Sequence, residues 1–163
     1  MKGSAMRPAD LNITSIIKSD GEEEKIEFFT VGSISRSKGG CVLSYSENED
    51  IGYEECSVRI TAKGDCVTVE RTGPAASALT VEKNVKHHCI YGTPFGDFTM
   101  GINTYDVANT LTEKGGRLWF KYSVDINNDF VSENEMEIVV TVPGEQAETA
   151  AGDGFEGFED LLF

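Results

Sequence analysis

The residues best suited to acid–base or nucleophilic chemistry are two histidines followed directly by a cysteine, His87, His88 and Cys89. A catalytic Cys–His pair needs its thiol and imidazole within hydrogen-bond reach. The surrounding residues predict a β-strand, in which adjacent side chains point to opposite faces. His87 and Cys89 share a face, but same-face neighbours are roughly 7 Å apart. The spacing therefore argues against a catalytic pair, and we interpret both histidines as solvent-facing or rim residues.

The cysteines also lack the spacing of a metal or redox centre. They form no C-x-x-C pair, so the usual zinc and thioredoxin patterns are absent. A zinc site at His87, His88 or Cys89 would need ligands from other strands, and no spacing demands them. We predict no metal, no cofactor, and free thiols that pack as small apolar side chains. These cysteines are Cys41, Cys56, Cys66 and Cys89.

No other catalytic set stands out from the sequence. The chain has neither a glycine-rich phosphate loop before a helix nor a G-x-S-x-G elbow. Its 28 acidic residues leave a glycosidase-type carboxylate pair open. Most of them fall in predicted turns or at outward strand positions, which favours solvated surface. Enzymatic activity is therefore the third hypothesis, behind ligand binding and protein interaction.

Arg71 and Tyr91 are better candidates for a functional interior. Arg71 ends a predicted strand on the same side as Val67 and Val69, which we place towards the core. Its guanidinium could anchor an anionic or carbonyl-bearing ligand. Tyr91 could supply one hydroxyl to a mostly apolar pocket. The alternative is structural: Arg71 closes one end of the fold over aromatic rings, and Tyr91 belongs to a turn.

Alternating apolar and polar residues predict an all-β chain of about eight to ten short strands. The clearest alternation covers residues 118–126, and others cover residues 11–17 and 25–32. A helical turn is an option at residues 106–112. Closely spaced strands of this kind are typical of a sandwich or a barrel, and the alternation itself does not separate the two. Gly101, inside a predicted strand, indicates a bulge or a close approach of other atoms.

The region after Arg71 carries a motif that resembles a known family. An Arg-x-Gly at a strand end is followed by a Tyr-x-Thr-Pro-x-Gly hairpin and by a threonine a few positions on. This arrangement resembles the YwiB-like family of uncharacterised proteins from Gram-positive bacteria, over roughly residues 11–142. The matching residues are Arg71, Gly73, Tyr91, Thr93, Pro94, Gly96 and Thr104.

The resemblance implies a single antiparallel up-and-down β-barrel of the calycin, lipocalin-related type, whose biochemical function is unknown. It departs from the family at Asn84, where a glycine is expected, but asparagine also tolerates the left-handed conformation. From the motif we take Arg71, Tyr91, Thr93 and Thr104 as candidate ligand-binding residues. Its structural residues are Gly73, Pro94 and Gly96.

The composition of the chain argues against some classes of binding partner. The chain has 163 residues and a net charge of −14, a surface that repels phosphate backbones, so we expect no nucleic-acid partner. No apolar run approaches the roughly 18 residues of a membrane span, and we expect no membrane partner. The first residues lack an apolar signal segment, which predicts a cytoplasmic protein.

The sequence divides into a flexible start at residues 1–10, one barrel domain at residues 11–143 and an acidic, disordered tail at residues 144–163. Apolar residues of the tail repeat at helical spacing, so the tail is a candidate for binding a protein partner. These residues are Phe155, Phe158, Leu161, Leu162 and Phe163.

Two functions lead. The first is non-catalytic binding of a small, partly apolar ligand inside the barrel. The alternative is a protein-interaction module with a filled barrel, acting through its surface and tail. A homodimer is compatible with either function. An eight-strand barrel can be filled by its own side chains or can hold one small ligand, so strand number does not decide between them.

Overall fold

The computed structural model describes residues 6–47, 56–73 and 77–144, without the side chains of residues 47 and 91–93. It is all-β, with every neighbouring pair of strands antiparallel. No helix in these residues is long and apolar enough to cross a membrane. The strands are β1 Arg7–Ser19, β2 Glu22–Ser37, β3 Gly40–Glu47, β4 Cys56–Lys63, β5 Cys66–Thr72, β6 Ser77–Glu82, β7 Lys86–Thr93, β8 Gly96–Asn109, β9 Gly115–Ile126 and β10 Asp129–Thr141.

The strands form one curved sheet in the order β6-β5-β4-β3-β2-β1-β10-β9-β8-β7, which closes almost completely into a barrel. Neighbouring strands in the sheet also follow each other along the chain, except where β1 meets β10. There Asp10 pairs with Thr141 and Lys18 with Glu133. The up-and-down barrel expected from the sequence, with eight to ten strands, is therefore confirmed. The two outer strands, β6 and β7, face each other at a junction that we call the seam.

Successive turns of an up-and-down sheet lie at opposite ends, which we call upper and lower. The upper turns include Asp20-Gly21, Pro94-Phe95 and Asn127-Asn128, and the lower ones include Lys38-Gly39 and Lys83-Asn84. Asp20 and Gly21 both have positive φ, at 53° and 77°, which suits a tight hairpin between twisted strands. Asn84 has a φ of 67°, so asparagine does replace glycine in this turn as the sequence suggested.

Alternating residues of every strand fill the barrel interior. Leu11, Ile60 and Leu118 are completely buried, and Phe120 is 1% exposed. Cys41 and Cys56 are also buried, and all four cysteines are free thiols, as predicted. The interior is therefore an apolar core through its lower and middle parts.

Three strand limits differ from the sequence-based expectations. β1 begins at Arg7 rather than at residue 11, because residues 7–10 pair with β2 and Ala9 is buried. β2 is one strand of 16 residues, since β1 pairs with it from Glu22 to Ile34. β8 runs on to Asn109 through a bulge at Tyr105, so the optional helical turn at residues 106–112 is wrong.

Ile60→Ala should lower the free energy of unfolding by about 2–5 kcal/mol, because it leaves a cavity at a fully buried site. Urea unfolding followed by circular dichroism measures this change. The matched control is Ile90→Ala, whose side chain is 72% exposed. The control should change the same quantity by less than about 0.5 kcal/mol. Equal effects at the two sites would contradict the assignment of barrel interior and exterior.

Candidate functional site

The seam is closed at its lower end by side chains of β8 and not by a ladder of backbone hydrogen bonds. Only one isolated bridge, Glu82 with Val85, joins the described residues of β6 to the start of β7. At the same residue, the backbone N–H of Glu82 donates to the hydroxyl of Thr104 across 3.0 Å. Thr104 thus holds the last residue of β6 against β8.

Two further contacts support this closure. The Lys83 ammonium lies 3.3 Å from a carboxylate oxygen of Asp106. The Asn109 side chain donates to the carbonyl of Gly64, in the β4–β5 turn, across 3.1 Å. A hydrogen bond from the backbone of Val107 holds the pKa of Asp106 below its usual value, and Lys83 adds to this effect. Asp106 therefore stays ionised and keeps its attraction for Lys83 well into the acidic range.

Above this closure, a polar cluster reaches into the barrel from strands on both sides of the seam. Arg71 of β5 and Cys89 of β7 both act electrostatically on the phenol of Tyr122 in β9. β5 and β9 are not neighbours in the sheet, so the interaction crosses the interior. Burial raises the pKa of Tyr122 to about 12, although the positive charge of Arg71 pulls it down. Tyr122 is therefore a neutral hydroxyl at physiological pH.

Partly buried aromatic and sulfur-containing side chains pack against the core of the barrel. The rings of Phe120 and Tyr122 stack with their centroids 6.0 Å apart, and those of Phe28 and Tyr45 lie 6.3 Å apart at a tilt of 56°. Phe28, Tyr122 and the side chains of Met100 and Met136 pack on the core but are only partly buried. Together with Arg71, these side chains combine apolar surface with a few polar groups, the usual composition of a small-molecule site.

The thiols near the cluster are poor nucleophiles. Burial raises the pKa of Cys89, and burial with the nearby Glu82 carboxylate raises that of Cys66. A thiol is reactive as its thiolate, so both are in the unreactive form at neutral pH. His87 does not pair with Cys89, since its Nε2 lies 2.8 Å from Oε1 of Glu82. In the described residues, no three histidine, cysteine or acidic side chains group together as a metal site would require.

The four residues predicted from the sequence to bind a ligand lie in different parts of the structure. Arg71 lies on the same face as buried Val69 and contributes to the cluster at Tyr122. Thr104 lies at the seam, where its hydroxyl has a structural partner. Tyr91 and Thr93 pair with Phe98 and Gly96 in the β7–β8 hairpin, and their side chains lie outside the described part. The ligand-binding roles of these four residues stay predictions.

The hairpin motif itself has the expected turn. Pro94 and Phe95 form its two central positions, and Gly96 follows with a φ of 128°. Gly73 has a φ of 111° at the end of β5.

Gly101 marks a close approach and not a bulge, since a Cβ there would lie 2.5 Å from Oδ1 of Asp125. The tail residues proposed to bind a partner, Phe155, Phe158, Leu161, Leu162 and Phe163, lie outside the described residues.

Sequence reasoning missed Tyr122 as a site residue. The signal was present, because Tyr122 has the same alternation phase as Leu118 and Phe120 in β9 and must therefore face inward. A tyrosine in the inward phase of a strand brings a hydroxyl into an apolar interior. Its proximity to Arg71 could not be read from the sequence, because it depends on how the barrel closes.

Comparisons with known proteins agree with this fold. The model of a protein family described as "Domain of unknown function (DUF1934)" matches residues 11–138. The chain is 27% identical to the uncharacterized β-barrel protein YwiB of Bacillus subtilis over 122 residues, which are 75% of this chain and 84% of that protein. It is also similar to the crystal structure of B. subtilis YwiB, with a TM-score of 0.74 and 23% identity, covering 86% of this chain and 95% of that one.

Thr104→Val should destabilise the seam by about 1–3 kcal/mol, because the N–H of Glu82 loses its acceptor. Urea unfolding gives the loss of stability, and hydrogen exchange at the Glu82 amide locates it. Thr104→Ser is the control, since it keeps the hydroxyl, and it should preserve slow exchange at this amide. Similar exchange in the valine and serine variants would show that the hydroxyl does not hold the seam.

Tyr122 should make stability fall with rising pH between about 10 and about 12. The phenol ionises near pH 10 in the unfolded chain but only at about 12 in the folded one, so the unfolded state loses its proton first. Urea unfolding at about pH 9 and about pH 11 measures the decline, which should be smaller in Tyr122→Phe. Tyr105→Phe, whose side chain is 50% exposed, should retain it. An unchanged decline in Tyr122→Phe would contradict the burial of this phenol.

Proposed function

The chain belongs to the DUF1934 family, and from this premise we propose that its barrel binds a small, partly apolar ligand without transforming it. The ligand would occupy the upper interior and would carry an anionic or carbonyl group. Its polar group would meet Arg71 and Tyr122, and its apolar part would lie against Phe28, Met100 and Met136.

The observation that carries this proposal is the position of Arg71 and Tyr122, which both lie in the inward phase of their strands in a barrel whose described core is apolar. The charge of Arg71 also acts on the phenol of Tyr122. Arg71 supplies a permanent positive charge with several donors, and the neutral phenol of Tyr122 supplies one more. Both are donors suited to the same oxygen atom. A ligand carboxylate or carbonyl would accept hydrogen bonds from both, and binding would not require a change in the protonation of Tyr122.

The chemical state of the neighbouring groups supports binding rather than catalysis. Cys89 is held as a thiol by burial. His87, on the same face of β7, is hydrogen-bonded to Glu82 near the lower end of the seam. Nothing in this set joins an activated nucleophile to a base within reach of Arg71. The cluster is suited to holding a polar group in place.

The seam offers the ligand a route into the barrel. β6 and β7 meet at their shared turn, where Glu82 and Thr104 hold the wall together. Towards the upper end, no ladder joins the described residues of the two strands. The ligand would enter between β6 and β7 near Leu79 and Cys89, two partly buried residues that pack against the core.

Native mass spectrometry of the protein purified from its own cells tests the proposal. We expect an excess mass that disappears on denaturation and is reduced in Arg71→Ala, because the variant lacks the charge that holds the polar group. Arg59→Ala is the matched control, since Arg59 is exposed on the outer face of β4, and it should retain the full excess mass.

Incubation with decanoate, which combines a carboxylate with an alkyl chain, gives the second arm of the test. The wild-type protein should bind decanoate at least about tenfold more tightly than Arg71→Ala, a difference of about 1.4 kcal/mol. A bare mass for the wild type, both as purified and after this incubation, would contradict the proposed function. Equal binding by Arg71→Ala and Arg59→Ala would remove Arg71 from the site.

A further inference from the structure

The first part of β2 has a partner strand on one side only. Residues 22–34 of β2 pair with β1, but β3 pairs with β2 only from Ser33 to Ser37. Within the described residues, no strand pairs with the other edge of β2 over residues 22–32. We call this stretch the β2 edge. Its outward N–H and C=O groups are suited to pairing with another extended chain.

Gly32 marks the point at which β2 and β3 part. A side chain at this position would collide with the carbonyl oxygen of Ser44 and crowd a methyl group of Leu11 at 3.0 Å. The two strands are therefore in close contact at Gly32 and diverge beyond it. Their divergence leaves a surface groove of about 710 Å³. From β2 and β3 the groove is lined by Thr30, Val31, Gly32, Ser33, Ser44, Tyr45 and Ser46.

The side chains of the β2 edge form an acidic half and an apolar half. The acidic half has four carboxylates and one ammonium, from Glu22, Glu23, Glu24, Lys25 and Glu27. In the other half, Phe29 is 58% exposed and Val31 is 61% exposed. Charges are a common means of protecting an edge strand, and here they protect only the first half. The apolar half lies beside the groove.

We propose that the β2 edge binds an extended, basic segment of another protein by strand addition. The backbone of the segment would extend the sheet beyond β2, with lysine or arginine side chains near Glu22–Glu27 and apolar side chains near Phe29 and Val31. This surface lies on the barrel wall, so the inference does not depend on an interior ligand.

Charge favours a basic segment over two other possible occupants of the β2 edge. A second copy of the chain would place one acidic β2 edge against another, and like charges on paired strands are destabilising. The tail of this chain, residues 145–163, has six carboxylates and no lysine or arginine, so it would meet the same repulsion. A basic segment gains attraction from the carboxylates that repel the other two.

Hydrogen exchange measured by mass spectrometry tests the proposal on the full chain. The probe is an acetylated peptide of about eight residues, alternating lysine and valine, a typical strand length. It should slow exchange within residues 22–32 by at least about tenfold and should act less strongly at high salt. A peptide with glutamate in place of lysine, and one N-methylated at every residue so that neither edge can donate hydrogen bonds, should give no protection.

Charge reversal provides the matched variants. Glu22→Lys combined with Glu24→Lys should weaken protection by the lysine peptide and create protection by the glutamate peptide. Asp97→Lys combined with Asp129→Lys changes the net charge equally at other exposed positions and should leave the preference unchanged. An unchanged preference in the first variant, or a switched preference in the second, would overturn the proposal.

Three other outcomes also overturn it. Absence of protection by the lysine peptide would show that the edge does not accept a basic strand. Protection that is present in the free protein and is lost on deleting residues 145–163 would assign the edge to the tail. Protection that increases with protein concentration, together with a dimer in native mass spectrometry, would assign it to a second copy.

Discussion

The closure of the barrel depends on a few side-chain contacts at the seam, first among them the hydrogen bond from the backbone amide of Glu82 to Thr104. Nine neighbouring pairs of strands are joined by ladders of five or more residue pairs, whereas the described residues of β6 and β7 meet at a single bridge. A ladder distributes its stability over many equivalent bonds. The seam instead relies on Thr104 with help from Asp106 and Asn109, so removing one side chain affects the closure of the whole wall.

The packing of the barrel interior differs below and above this closure. Below and beside it, the interior is filled with buried aliphatic residues such as Ile60 and Ile102. Above it, longer and more polar side chains, Arg71, Met100 and Tyr122, extend into a wall that is not continuously bonded. The described part of the molecule therefore combines a filled, apolar lower interior with an upper interior that contains polar side chains.

The alternation of residues was sufficient to predict the class of fold and most of the strands, but not their full lengths. β9 is the simplest example, since its buried phase from Leu118 to Val124 can be read directly. The predicted strand began at residue 25, because the charged residues 22–24 show no alternation, yet their backbone pairs with β1. Arg71 could be placed at the inner side of a strand end from the sequence. The role of Thr104 at the seam could not, because it depends on a contact between strands that are far apart in sequence.

The pairing of β1 with β10 has a consequence for how the chain acquires its fold. Every other ladder joins strands that follow each other along the chain, so these hairpins close over short loops. Asp10 and Thr141 lie near opposite ends of the barrel sequence, and their ladder must close over almost the entire domain. Such non-local pairing is slow to form. During synthesis, β1 therefore keeps one edge without its native partner until β10 has emerged from the ribosome. Until then this edge is exposed to aggregation.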